Sequence, residues 1–334
     1  KAFQKEYGGY GLTEDQNLDC FKILAPAWGA NPGIWIEGEN GKLAYGSVQP
    51  EMKEALQAYA QWYKEGIIDP EFTTKDLEKM LQGEISSSVG VSPYYQYWGY
   101  DPGPNVVQNL GADAIFEPYE IPSANGGEVK ASVTFANYGY IVVSKGCKNP
   151  EAVLKLLNFY AHVMDEGDEE DADFINELFG NAYTNIPYAL RVINPNTDYN
   201  QFVKVSGALE KGLDEDPAAL GKDGVKYSNS VDFIKEGAST GVGDYLQQGG
   251  PKAAYRISKE IIDNEQYIKD AMWGPATETL LSAGSTLDDI LTEGFTKIIV
   301  GEESIDYFDT LVDNWAKAGG TKATEEINET YGNN

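Results

Sequence analysis

The chain has 334 residues, 42% of them hydrophobic, which is too long for one ordinary core and too apolar for a disordered chain. Its 25 basic and 53 acidic residues give a formal net charge of -28, so a phosphate backbone or an anionic lipid surface would be repelled. One histidine and two cysteines, Cys20 and Cys147, leave no zinc-ligand spacing and allow at most one disulfide, whose formation the spacing does not decide.

The chain opens on Lys1–Tyr7, which reads as the middle of a helix and predicts a trimmed start without a signal peptide. Ile34–Ile36 and Leu43–Tyr45 flank the turn Glu39–Lys42, an Asn-Gly hairpin signal. Pro50 opens a helix whose apolar stripe is Met52, Ala55, Leu56, Tyr59, Trp62 and Tyr63, with Gly66 as its stop. A second helix is predicted from Asp76 to Gly83, followed by a small-residue strand over Ile85–Val91. Val133–Val143 reads as one long strand. Asn149-Pro150 starts a third helix carrying Val153, Leu156, Leu157, Tyr160, His162 and Met164. The acidic run Asp165–Asp173 reads as a solvated loop, and 181–250 as short helices and loops. Two more helices are predicted, from Thr286, with Asp289 at capping-box spacing, and from Ser304 to the pair Gly319-Gly320. No apolar run approaches the ~18–20 residues of a membrane span. The mixture of helices and short strands argues for an α/β fold.

Catalytic constellations are scarce. The sole histidine, His162, falls within a predicted amphipathic helix, where a structural or solvated role explains it. No nucleophile elbow, phosphate loop or dinucleotide fingerprint occurs, and the glycine pairs Gly99/Gly103 and Gly241/Gly243 read as turns. With 53 acids, carboxylate pairs carry no information. The alternating oxygens of Asn194–Asn200 lack the glycine and glutamate of a calcium loop.

The aromatics are more informative. Trp28 and Trp35 flank Asn31-Pro32-Gly33; Tyr94, Tyr95, Tyr97 and Trp98 follow Pro93; Tyr138 and Tyr140 lie along the long strand; Trp273 precedes Gly274-Pro275. Several therefore sit at loop or strand ends, where rings can stack on the apolar faces of sugars while nearby amides and carboxylates take hydroxyls. The competing reading is that each is an ordinary core aromatic.

Gly41–Gly46 (GKLAYG), Gln49–Leu56 (QPEMKEAL), Lys64–Pro70 (KEGIIDP), Gly83–Pro93 (GEISSSVGVSP), Asn137–Lys145 (NYGYIVVSK) and Asn149–Val153 (NPEAV) together resemble the family 1 extracellular solute-binding lipoproteins of Gram-positive bacteria. The most specific match is Trp273–Thr279 (WGPATET) with Thr286–Asp288 (TLD) and Phe295–Gly301 (FTKIIVG); Trp315–Gly320 and Glu326–Asn328 complete it. The resemblance covers nearly the whole chain, most weakly about 165–250. It implies an α/β fold of the periplasmic-binding-protein-like type II, a two-lobe Venus flytrap, here with an incomplete N-terminal lobe. The expected organisation is 1–135 as the C-terminal-lobe portion, 136–275 as the crossover strand with the remaining N-terminal-lobe portion and a loop-rich insert, and 276–334 as helices packing back on the first lobe.

The resemblance further implies a non-enzymatic, monomeric ABC-importer component, lipid-anchored outside the cell, that captures a carbohydrate between its lobes by hinge closure and delivers it to permease subunits. No cofactor, metal or nucleic acid is expected. By position in the family, stacking falls to Trp273, Tyr94 and Tyr95; the other loop and strand-end aromatics Trp28, Trp98 and Tyr138 come second, and Asn137, whose amide both donates and accepts, is the candidate hydroxyl partner. The alternatives are a peptide or cationic ligand, favoured by the acidic charge, or a glycan-active enzyme.

Overall fold

The computed structural model describes residues 1–38, 41–114, 116–134, 141–162 and 196–332. The chain forms two compact units, one of residues 1–135 with 257–334 and one of residues 136–256. It is α/β, with helices dominant and short strands paired two by two.

In the first unit α1 spans Ala2–Tyr7, β1 Tyr10–Leu12, α2 Asp19–Leu24, β2 Trp35–Glu37 and β3 Leu43–Tyr45. Strands β2 and β3 pair antiparallel with Ile36 opposite Ala44, the hairpin expected from the sequence. Helix α3, Met52–Lys64, buries Met52, Ala55, Leu56 and Tyr59 and ends before Gly66, whose φ of 68° suits a residue without a Cβ. Helix α4, Leu77–Ile85, is capped by Asp76, whose Oδ1 accepts from the Lys79 N–H at 3.0 Å. It runs two residues beyond the expected end and takes in Ile85, and Ser86–Ser88 fold back on Gly83 through backbone and hydroxyl bonds. Only Val89–Val91 remains extended, as β4.

Strand β4 pairs parallel with β1, Tyr10 against Val89 and Leu12 against Val91, and Leu12 also bridges Ile68 in parallel. Helix α5 spans Gly103–Leu110. Strand β5, Ala131–Val133, pairs parallel with β6, Tyr267–Lys269. The long strand expected over Val133–Val143 is thus short at its start. Residues 135–140, with the candidate residues Asn137 and Tyr138, lie outside the described residues, and 141–143 form no strand.

Helix α6 covers Ala152–Ala161; α7 covers Thr197–Lys211; α8 covers Gly224–Glu236; α9 covers Ala254–Asp263. The stretch expected to be short helices and loops is therefore more regular where it is described. Phe202, Val205 and Ala208 give α7 a buried face, and Tyr227, Val231 and Phe233 give α8 one. The second unit has a polar interior as well: Asp223 accepts from Gln201 and Lys204, and Asp244 from Lys226 and Asn229.

Helix α10 runs Glu278–Val300, α11 Tyr307–Trp315 and α12 Thr321–Tyr331. Thr286 is interior to α10, so the capping-box reading there fails. The helix starts eight residues earlier, where the Glu326 carboxylate accepts from the N–H and hydroxyl of Thr279 at 2.9 and 2.7 Å. A cap supplied by a distant helix leaves no local signature in the sequence. Helices α3, α10 and α11 bury the first unit's core, in which Phe21 meets Tyr59 edge-on at 4.8 Å and Phe295 stacks with Phe308 at 6.4 Å.

Candidate functional site

Chains that leave parallel strands at their carboxyl ends converge on one edge, and in open α/β sheets that edge takes the ligand. Here β1 and β4 run parallel, and their exits carry Thr13-Glu14-Asp15 on one side and Ser92–Trp98 on the other. The Thr13 N–H donates to the Val91 carbonyl at 3.1 Å, which keeps the two exits together.

Glu14 and Asp15 are both buried. The Glu14 carboxylate accepts three backbone N–H bonds, from Asp15 at 3.0 Å, Cys20 at 3.0 Å and Phe21 at 2.8 Å. The last two are orphan donors of the first turn of α2, so Glu14 closes that helix end from the strand exit. Burial pushes its carboxyl up to about 8, while the three donors and the neighbouring Asp15 act on it as well, the donors in the opposite sense. Asp15 accepts from the Asp19 N–H at 2.9 Å and from the Asn17 amide at 3.3 Å; burial raises its pKa too. Between them Leu18 takes a left-handed conformation, φ 58°, which few non-glycine residues adopt.

Across the edge, Tyr94 and Tyr95 touch edge-on at 5.6 Å. Tyr94 is half-buried against Cys20, Met80 and Leu81; Tyr95 is 57% exposed. Burial raises both phenols, and the acids around them add to it: Asp101 and Glu84 at Tyr94, Asp19 and Asp15 at Tyr95. Trp98 is buried, ring against Phe116 at 4.8 Å, and its indole N–H donates to Glu84. The Glu84 carboxylate also accepts from the Ser92 hydroxyl at 2.6 Å. Burial pushes Glu84 up to about 6 against those two donors, with Asp101 adding to the rise. The Cys20 thiol donates to the Pro93 carbonyl at 3.2 Å; both cysteines are free, Cys20 buried and Cys147 exposed.

The other parallel pair repeats the pattern. Trp273 follows β6 and is 50% exposed. Its segment is held by Asp270, whose Oδ1 accepts from the N–H groups of Trp35 and Met272, each at 3.0 Å. Tyr331 donates to Pro275 at 2.6 Å. Of the sequence-derived candidates, Tyr94, Tyr95 and Trp98 thus share one loop, and Trp273 lies after the strand of a different sheet. Trp28 packs on Trp62 at 5.7 Å, at the margin of the core. Glu14, Asp15, Glu84 and Ser92 went unnoticed in the sequence because 53 acids and the common serines hide a few placed ones. For Glu14, Asp15 and Ser92 the detectable signal was position, directly after a strand; Glu84, inside α4, had none.

Elsewhere, a groove of about 310 Å³ beside α7 in the second unit, bordered by Lys204, Lys211, Glu215 and Asp216, has no aromatic lining on which a sugar could stack. Among the described residues no group of three or more histidine, cysteine or acidic side chains could hold a metal, and no helix is long and apolar enough to cross a membrane.

No family model matches the chain. It is 25% identical over 371 aligned positions to lipoprotein LipO of Bacillus subtilis (strain 168), covering 99% of the chain and 63% of that protein. Its fold matches a crystal structure of the alginate-binding protein AlgQ2 without calcium ion, with a TM-score of 0.57 at 15% identity, over 98% of this chain and 65% of that one. The chain thus spans just under two thirds of the length of both. It is related in sequence to a bacterial lipoprotein and has the α/β fold of a solute-binding protein, as the sequence motifs implied.

Proposed function

We propose that this chain is the ligand-capturing part of a lipid-anchored, extracellular solute-binding protein that serves an ABC importer, and that its ligand is a carbohydrate, an oligosaccharide in particular. The observation that carries the reading is the Tyr94–Tyr95 pair, presented at the carboxyl ends of parallel strands by a loop tied to the buried Glu84 and Cys20 side chains. Exposed rings on a rigid base give a sugar face something to stack on at little entropic cost. Trp273, half-exposed after β6, offers a second such face. The structural neighbour's alginate ligand supports the carbohydrate class, and the lipoprotein relative supports the lipid anchor.

A reading as a hydrolase has less support, since Glu14, Asp15 and Glu84 are committed to backbone, hydroxyl and indole donors and none is poised over an open cleft. A cationic ligand has one observation in its favour: Asp19, Asp101 and the buried acids surround the tyrosines.

The test is a thermal-shift and calorimetry screen of the protein against neutral oligosaccharides, alginate oligosaccharides, peptides and polyamines. A ligand present at 100 times its Kd stabilises the fold by about 2.7 kcal/mol. A sugar response that weakens at least tenfold in Tyr95→Ala supports the proposal. A response to polyamines or peptides alone would replace it with the cationic or peptide reading.

A further inference from the structure

The loop that carries the two tyrosines starts at Pro93, whose carbonyl accepts from the Cys20 thiol, and turns through a backbone bond from Trp98 to Tyr95. Tyr95 is mostly in water, and Tyr94 rests on a small cluster of three side chains. Yet the loop is bracketed by two side-chain donors, Ser92 before the tyrosines and Trp98 after them, and both donate to one buried carboxylate. That carboxylate belongs to Glu84, on the far end of α4, a helix that also places Met80 and Leu81 beneath Tyr94. Its Oε1 takes the Ser92 hydroxyl and its Oε2 the Trp98 indole, so the side chain spans the loop like a clasp.

We propose that Glu84 is a positioning residue for ligand capture: by binding Ser92 and Trp98 at once it sets the path of the segment between them and so the presentation of Tyr94 and Tyr95. This rests on the proposed role of those tyrosines, but the clasp itself can be tested without a ligand. The physical case is one of economy of partners. A buried carboxylate is costly unless its lone pairs are satisfied, and hydrogen bonds to a charged group are among the stronger ones. Both oxygens of Glu84 find their donors on the same loop, so the loop cannot shift without leaving the carboxylate unpaired. A merely structural acid would be expected to divide its bonds among the elements packed around it. The titratable groups that face Glu84 are Asp101, Tyr94 and Cys20, none of them a cation that could replace the loop donors.

Four variants decide it: Ser92→Ala and Trp98→Phe each remove one donor, Glu84→Leu removes the clasp, and Glu84→Gln keeps it. A glutamine can accept from the Trp98 indole through its oxygen while donating to the Ser92 hydroxyl. The readouts are amide exchange of residues 94–98, the midpoint of urea unfolding, and affinity for the tightest binder among maltotriose, mannotriose and an alginate trisaccharide.

Trp98→Phe and Ser92→Ala are expected to speed exchange in 94–98 about tenfold and weaken the sugar about tenfold, while exchange in α3 and α10 stays unchanged. Glu84→Gln is expected to retain protection and affinity within about threefold. If Glu84→Leu does not fold, the two milder donor deletions still decide the matter. Loop exchange that stays at the wild-type rate in Trp98→Phe and Ser92→Ala overturns the proposal, as does a loss of protection spread evenly over the first unit. If no sugar binds the wild-type protein, the carbohydrate reading fails while the exchange arm still judges the clasp.

Discussion

Aromatic residues do opposite work in two regions of the first unit. Between α3, α10 and α11, Phe21, Tyr59, Phe295 and Phe308 meet one another ring to ring and are fully or almost fully buried. At the exits of β1 and β4, Tyr94 and Tyr95 meet only each other ring to ring among the described residues, and the burial lies beneath them, in Glu84, Cys20, Pro93 and Trp98. The first arrangement uses aromatic area to hold the fold together. The second uses polar ties to hold aromatic area out in the open, which lowers fold stability if anything and is sensible only if something else covers the rings. The two regions should accordingly answer mutation in opposite ways, with stability lost in one and affinity in the other.

The largest effect belongs to the core. Phe295→Ala deletes a ring that contacts both Phe21 and Phe308, at 6.1 and 6.4 Å, and should destabilise the first unit by about 3–5 kcal/mol. Urea unfolding followed by exchange of the α3 and α10 amides checks it. A loss below about 1 kcal/mol would mean that the helices around the ring collapse onto the gap and that the core is looser than the ring contacts imply.

Two carboxylates sharpen the comparison through pH, because burial shifts one up and an open cap shifts the other down. Glu84 sits near 6 in the folded chain against about 4.3 when unfolded, so the folded state holds its proton more tightly. Stability from this group is therefore highest below pH 4 and falls as pH rises through 6, by about 2 kcal/mol in all. Unfolding of wild type and Glu84→Gln compared from pH 4 to 7 should show wild type losing ground by that amount. Glu14, raised for the same reason, is present in both proteins and cancels. Glu326 moves the other way. Its bonds to Thr279 lower its carboxyl to about 2, so its contribution is full above the unfolded value near 4.3 and is lost as pH falls from 4 through 2. Glu326→Gln should match wild type only at the acid end; a constant difference from pH 2 to 7 would show that charge is not what caps α10.

These carboxylates also mark where the sequence stops being readable. The stripe Met52, Ala55, Leu56, Tyr59 is visible as 3.6-residue spacing, and it is the buried face of α3. The Asn-Gly hairpin is equally local, and β2 pairs with β3 as its spacing requires. The tyrosines after Pro93 stand out as aromatics off any helical stripe. Glu84 and Glu326 do not. Glu84 reads as one more acid at the junction of a short helix and a strand, although its partners lie eight and fourteen residues on. Glu326 caps a helix 47 residues earlier, and without that knowledge the start of α10 slid to Thr286. Ordinary residues with non-local partners have no periodicity to betray them.

The smallest expected change in stability is the one that best separates the two regions. Tyr95 is 57% exposed and its ring packs edge-on against Tyr94, so Tyr95→Ala should alter folding by no more than about 0.5 kcal/mol, the range of surface substitutions away from caps and cores. The same change removes a ring from the proposed stacking face, and base-level stacking of a sugar against an aromatic should be missed as at least a tenfold rise in Kd, or about 1.4 kcal/mol. Paired urea titration and calorimetry on one preparation read both numbers. If Tyr95→Ala instead costs stability and leaves binding intact, the tyrosine is a structural residue that happens to face water, and the capture face must be sought after β6, around Trp273.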